Sequence, residues 1–121
     1  DVISCATLAQ APLIHGDWLR PGTHIDLVGA FRPDMREADD TAVRRARLYV
    51  DVRESALAEA GDLVDPLARG VIAEADIVGD LADLVRGDAP GRRGRDEITL
   101  FKSVGSAIED LAAAQMVMER H

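Results

Sequence analysis

The run Asp96-Glu97-Ile98-Thr99-Leu100-Phe101-Lys102-Ser103-Val104-Gly105 decides how this 121-residue chain is read. Ile98 to Phe101 has the β-branched and apolar character of a short strand. Lys102-Ser103 then reads as a polar turn that launches a helix. Lys102, Ser103 and the free N–H groups of that helix start stand at the carboxyl end of a strand. That edge is where open α/β sheets bind ligands. Unpaired N–H groups and the helix dipole favour an anionic or hydrogen-bonding partner there.

Working outward, Val2 to Ala6 is a short apolar run of the kind found in parallel strands buried on both faces. His24 to Val28 is a second strand, ending at Gly29, where backbone can approach a ligand closely. Asp34 and Glu37 have the acceptor-then-acid spacing of a helix start or tight turn. Asp39-Asp40 can cap a helix through Ala46, and Arg47 to Asp51 is a third strand. Arg53 to Ala60 is a helix with Gly61 as its stop signal. Asp76 to Arg86 is a helix ended by Gly87, and Gly91 to Arg95 is an exposed loop. From Val104 the chain is helical nearly to its end, with Val104, Ala107, Ile108, Leu111, Ala114 and Met118 on one face. Strands alternating with helices predict an α/β fold with a parallel or mostly parallel sheet.

Composition narrows the function classes. The chain is 47% apolar, enough for a core, and its net charge is −8. That charge argues against non-specific binding to nucleic acid or to anionic membranes. No apolar stretch reaches the roughly 18 residues of a membrane span. Cys5 has no internal partner, which is compatible with a reducing, cytoplasmic setting. The chain opens directly on a strand-like run without Met, so it is expected to continue a longer protein.

Four strand ends gather the candidate chemistry: Ala6-Thr7, Gly29-Ala30-Phe31-Arg32, Asp51 and Lys102-Ser103. From spacing alone, the Thr7 and Ser103 hydroxyls either meet a ligand or cap turns. His15 and His24 lack metal-ligand spacing and read as turn and strand-start residues. Cys5 reads as a small apolar filler. Asp39-Asp40 reads as a cap rather than a metal pair, and Arg92, Arg93 and Arg95 as a solvated loop. No catalytic residue and no metal ligand is assigned.

Taken in order, Leu13 to Ile25, Val28 to Glu37, Leu48 to Asp51, Ala56 to Asp62 and Glu97 to Gly105 resemble the ornithine cyclodeaminase/mu-crystallin family. The Arg32-Pro33-Asp34-x-Arg36-Glu37 and Phe101-Lys102-Ser103-x-Gly105 segments are the most specific. The resemblance implies an NAD(P)-dependent oxidoreductase with a Rossmann domain and a second domain that forms a homodimer. Residues 1–104 would be the C-terminal part of the Rossmann domain, and 105–121 the helix returning to the substrate and dimerisation domain. The Gly-x-Gly-x-x-Gly turn and the substrate-side Lys and Arg of the family are not in this stretch. The stretch alone is therefore expected to be inactive.

The resemblance assigns Ala6, Thr7, Val28, Gly29 and Ser103 to NAD or NADP. It assigns Phe31, Arg32 and Glu59 to the small imino- or amino-acid substrate. Glu59 reads equally as a solvated helix residue. Phe31 stands where ornithine cyclodeaminases carry a proton-transferring Asp, and Phe cannot move a proton. That departure favours the mu-crystallin-like branch. The expected activity is hydride transfer to or from the carbon–nitrogen bond of a small imino or amino acid. The alternative is an NADP-linked ligand-binding protein without turnover.

Overall fold

Apolar runs of four residues, too short to be helices, form the sheet. In the computed structural model, which describes residues 1–120, five parallel strands lie in the order β1-β2-β5-β3-β4. They are β1 (Val2–Cys5), β2 (His24–Leu27), β3 (Arg47–Val50), β4 (Ile77–Asp80) and β5 (Thr99–Lys102). The helices are α1 (Asp40–Arg45), α2 (Arg53–Glu59), α3 (Gly61–Ala68), α4 (Leu81–Arg86) and α5 (Ala107–Glu119). The expected α/β class with a parallel sheet is observed. His121, the last residue of the expected 105–121 helix, lies outside the described residues.

Register puts Ile25 and Leu27 of β2 beside Leu100 and Lys102 of β5, and these beside Leu48 and Val50 of β3. All six are buried, and with Val43, Ala56, Ala60 and Leu63 the apolar ones form the core. On the opposite face, Ser4, Asp26 and Phe101 are only partly covered or exposed. Arg92 braces that side, donating to Gly22 O at 2.8 Å and to Thr99 Oγ1 at 2.9 Å.

Three expectations need correction. Asp76 to Arg86 is not one helix. Ile77, Leu81, Leu84 and Val85 recur at helical spacing, but Ile77-Val78 is β-branched and joins the sheet as β4. Asp80 and Asp83 then form a reciprocal capping box, with bonds of 2.9 and 3.1 Å, that starts α4 at Leu81. Gly61 ends nothing. It opens α3, an unexpected helix with Pro66 inside. Of the two readings of Asp34 and Glu37, the tight turn holds: Arg32 to Met35 is closed by Met35 N–H on Arg32 O at 3.0 Å. The last helix begins three residues later than expected, at Ala107, after Gly105 at a φ of +87°.

Asp39 caps α1 as expected, accepting from Ala42 N–H at 2.8 Å. Asp40 instead joins α1 to α3. Arg69 donates to it at 2.6 Å and Arg36 at 3.0 Å, and both arginines also reach Asp65. The Arg69 and Arg36 guanidiniums pull the Asp40 carboxyl down from 3.8 to about 2, and Arg69 lowers Asp65 as well. A carboxyl with a depressed folded-state pKa binds fewer protons folded than unfolded between those values. Its stabilising effect is present above 3.8 and is lost as pH falls toward 2. Urea midpoints should therefore fall across that window, and less steeply in Arg69→Gln.

Gly61 is chosen for space. A Cβ there would lie 2.0 Å from Met35 O and 2.5 Å from Arg32 O, both backbone atoms. Gly61→Ala should cost about 1–3 kcal/mol in chemical denaturation, as overpacking does.

Candidate functional site

Because the strands are parallel, all their carboxyl ends fall on one edge. Backbone bonds continue the ladder past the strands: Val28 N–H to Cys5 O at 2.8 Å, Ser103 N–H to Leu27 O at 3.0 Å and Asp51 N–H to Lys102 O at 3.1 Å. Ala6-Thr7, Val28-Gly29 and Ser103 therefore sit on three adjacent strand ends. Gly61 N–H donates to Ala30 O at 3.0 Å, which draws the end of α2, with exposed Glu59, beside the turn after β2. Phe31 and Arg32 are exposed on that turn, and Arg32 pairs with Asp34.

The N–H groups after β5 are not free. Asp51 Oδ2 accepts from Val104 N, Gly105 N and Ser103 Oγ, each at 2.9 Å, while Oδ1 accepts from Val52 N. The expected anion site already holds an anion of the chain itself. Ser103 donates its hydroxyl to that carboxylate and keeps only acceptor capacity toward a ligand.

Gly29 is closely packed on the side a Cβ would occupy. What approaches it closely is the chain itself: a Cβ would meet Glu37 Oε1 and Thr7 O at 2.2 Å. Thr7 turns inward, its N–H and hydroxyl both donating to Glu37 Oε1, at 2.6 and 2.8 Å. The outer lip is uncharged: Leu8 is 71% exposed, Val28 46% and Phe31 42%, with Ala6 exposed among them.

Under this lip lie three buried charges: Lys102, expected on a polar turn, Glu37, expected in a helix start or tight turn, and Asp62, which the sequence reading did not single out. Glu37 and Asp62 are wholly buried. Asp62 Oδ1 accepts from Glu37 N at 2.8 Å and Ala38 N at 2.9 Å. Burial pushes the Asp62 carboxyl up, against those N–H bonds and the Lys102 and Arg36 charges. Glu37 Oε2 and Asp62 Oδ2 have no partner. Lys102 belongs to β5 and points into the core layer instead of standing on a turn. Its ammonium donates to Leu27 O at 3.3 Å, to Ser103 O at 2.6 Å and to Gly29 O. The one available signal was register. Ending the strand at Lys102 instead of Phe101 gives it the inward parity of Leu100.

Cys5, His15 and His24 have structural partners. Cys5 is half-buried against the core. His15 meets Asp39 at 3.2 Å and Trp18 edge-on, and His24 meets Thr99 Oγ1 at 2.8 Å. Among the described residues no helix is long and apolar enough to cross a membrane.

The model of the "Ornithine cyclodeaminase/mu-crystallin family" matches residues 1–121. "Protein SAR DEFICIENT 4" of Arabidopsis thaliana is 49% identical over 100% of this chain and 37% of its own length. A "Delta(1)-pyrroline-2-carboxylate reductase" of Paracoccus denitrificans is 51% identical over 97% of this chain and 37% of its own. A solved Thermococcus litoralis Delta(1)-pyrroline-2-carboxylate reductase, in complex with NADH and L-proline, superposes with a TM-score of 0.93. It is 46% identical and covers 98% of this chain and 36% of that one. This chain thus spans little more than a third of these relatives, and it belongs to the ornithine cyclodeaminase/mu-crystallin family.

Proposed function

We propose that these residues form the nicotinamide side of the cofactor domain of an NAD(P)-dependent oxidoreductase. The enzyme would act on the carbon–nitrogen bond of a small imino or amino acid, with a cyclic imino acid such as Δ1-pyrroline-2-carboxylate as substrate. The carrying observation is the uncharged lip of Ala6, Leu8, Val28 and Phe31 along the carboxyl edge of β1 and β2. Family membership and the Thermococcus relative in complex with NADH support the same reading. The flat nicotinamide ring, uncharged in the reduced cofactor, fits that lip. A pyrophosphate does not, because the N–H groups at this edge are bound to Asp51.

Ala6, Thr7, Val28, Gly29 and Ser103 would border the cofactor, which supplies the hydride when bound. Thr7 contributes backbone shape, since its donors are committed to Glu37. Ser103 Oγ offers an acceptor to an amide N–H. Phe31, Arg32 and Glu59 flank the substrate side. Phe31 excludes water and has no proton to give, which favours reduction over cyclodeamination. Residues 1–104 would complete a Rossmann domain with a preceding part. The helix in 105–121 would return to a substrate and dimerisation domain. None of the residues of α5 is buried on this chain, and Ile108, Leu111 and Met118 are exposed.

The test uses the full-length protein, with NADH and NADPH in turn and a cyclic imino acid. The expected outcome is saturable cofactor binding and substrate-dependent loss of reduced-nicotinamide absorbance. Saturable binding with no turnover on any cyclic imino or amino acid would establish the non-catalytic, NADP-linked binding protein instead.

A further inference from the structure

We propose that Lys102 is a positioning residue for this edge: its enclosed ammonium gathers the carbonyls that shape the turns after β2 and β5, and so sets the lip against which the nicotinamide lies. The proposal deepens the reading above and rests on it.

Three observations carry it. First, Lys102 is wholly buried, and its contacts are backbone carbonyls from two adjacent strand ends: Leu27 and Gly29 after β2, and Ser103 after β5. An ammonium has three protons and no acceptor, so these contacts exhaust it. Lys102 therefore offers nothing to a substrate directly and acts through the turns it holds.

Second, its neighbours within the sheet are apolar. Its register neighbours are Leu27 and Val50, and a methionine of the same length would fill the space. Removing an ammonium from water costs several kcal/mol. Burial pushes the Lys102 ammonium down from 10.5, and Asp62, Glu37, Asp51 and Asp26 oppose that push. A charge kept at such cost, with backbone carbonyls as its hydrogen-bond partners, is there to shape backbone.

Third, the turn it holds is strained. Ala30 follows Gly29 and has a φ of +46°, a left-handed value that a residue with a Cβ adopts only under strain. Ammonium on Gly29 O and Gly61 N–H on Ala30 O pin the two carbonyls on either side of that strained φ. Freed of the first, the turn relaxes, and Val28 and Phe31 shift with it.

The experiment compares wild-type and Lys102→Met full-length proteins by equilibrium titration with NADH and NADPH. It is run well below each protein's own melting temperature, with KM and kcat measured in parallel. The expected result is a Kd for cofactor raised about tenfold or more, as misplacement of a binding surface produces, with the melting temperature also lowered. If Lys102→Met does not fold, Lys102→Gln, which keeps a shorter donor, should move Kd in the same direction by less. A lowered melting temperature with an unchanged Kd overturns the proposal, because a purely structural lysine would behave so. Failure of both variants to fold also overturns it, in favour of a core role. No saturable binding by the wild-type protein overturns the functional reading together with the proposal.

Discussion

Enclosing Lys102, Glu37 and Asp62 under one end of a parallel sheet is the constraint around which the carboxyl edge is arranged. Each ion loses several kcal/mol of hydration, and only hydrogen bonds of good geometry offset that loss. The partners are almost all backbone: three carbonyls for the lysine, the Thr7 N–H for Glu37, and two N–H groups for Asp62. Turns that would otherwise be soft surface loops become the counterpart of buried charge. They cannot rearrange without stranding an ion, which costs about 3–5 kcal/mol when one partner of a buried pair is lost. Gly29 follows from the same demand, since a Cβ there would collide with Glu37 Oε1 and Thr7 O, while one at Gly61 would collide with the Arg32 and Met35 carbonyls.

The fold was legible where period and punctuation agreed. The strands after Asp1, Thr23, Ala46 and Glu97 stood out because short apolar runs of β-branched residues sit between polar turns. Residues 76–86 did not, because Ile77, Leu81 and Leu84 satisfy a helical spacing although the chain changes from strand to helix between them. Periodicity alone does not mark such a junction, whereas the Asp80–Asp83 capping box does. α3 was hidden by Pro66, and its stability comes from tertiary contacts. Leu63 is buried, and Arg69 at its end is tied to Asp40 of α1.

The site was half legible. Strand ends can be read from sequence, so Ala6, Thr7, Val28, Gly29 and Ser103 were placed on a common edge before any coordinates. What each side chain does there was not legible, because it depends on partners far away in the chain. Thr7 faces Glu37, thirty residues on, and Ser103 faces Asp51 across β3 and β5. A carboxylate buried against backbone N–H groups looks, in sequence, like any other Asp or Glu in a polar loop. Lys102 was the sharpest case: moving the strand end by one residue changes it from solvated cation to core residue.

Asp51 gives the edge a polarity. Its carboxylate consumes the three donors after β5, so a ligand reaching this side meets a carboxylate where an open helix start would offer N–H groups. A second anion would be repelled there. The neighbouring lip of Ala6, Leu8, Val28 and Phe31 offers apolar surface at no electrostatic cost. In the proposed reading, the nicotinamide end of a dinucleotide lies on this chain and its phosphates lie beyond it. Residues 103–105 have a second role: held by Asp51, they fix the direction in which α5 leaves. That helix carries its apolar side chains away from the sheet with none buried. One carboxylate thus closes the anion site and aims the exit of the chain, which ties the shape of this edge to the direction of α5.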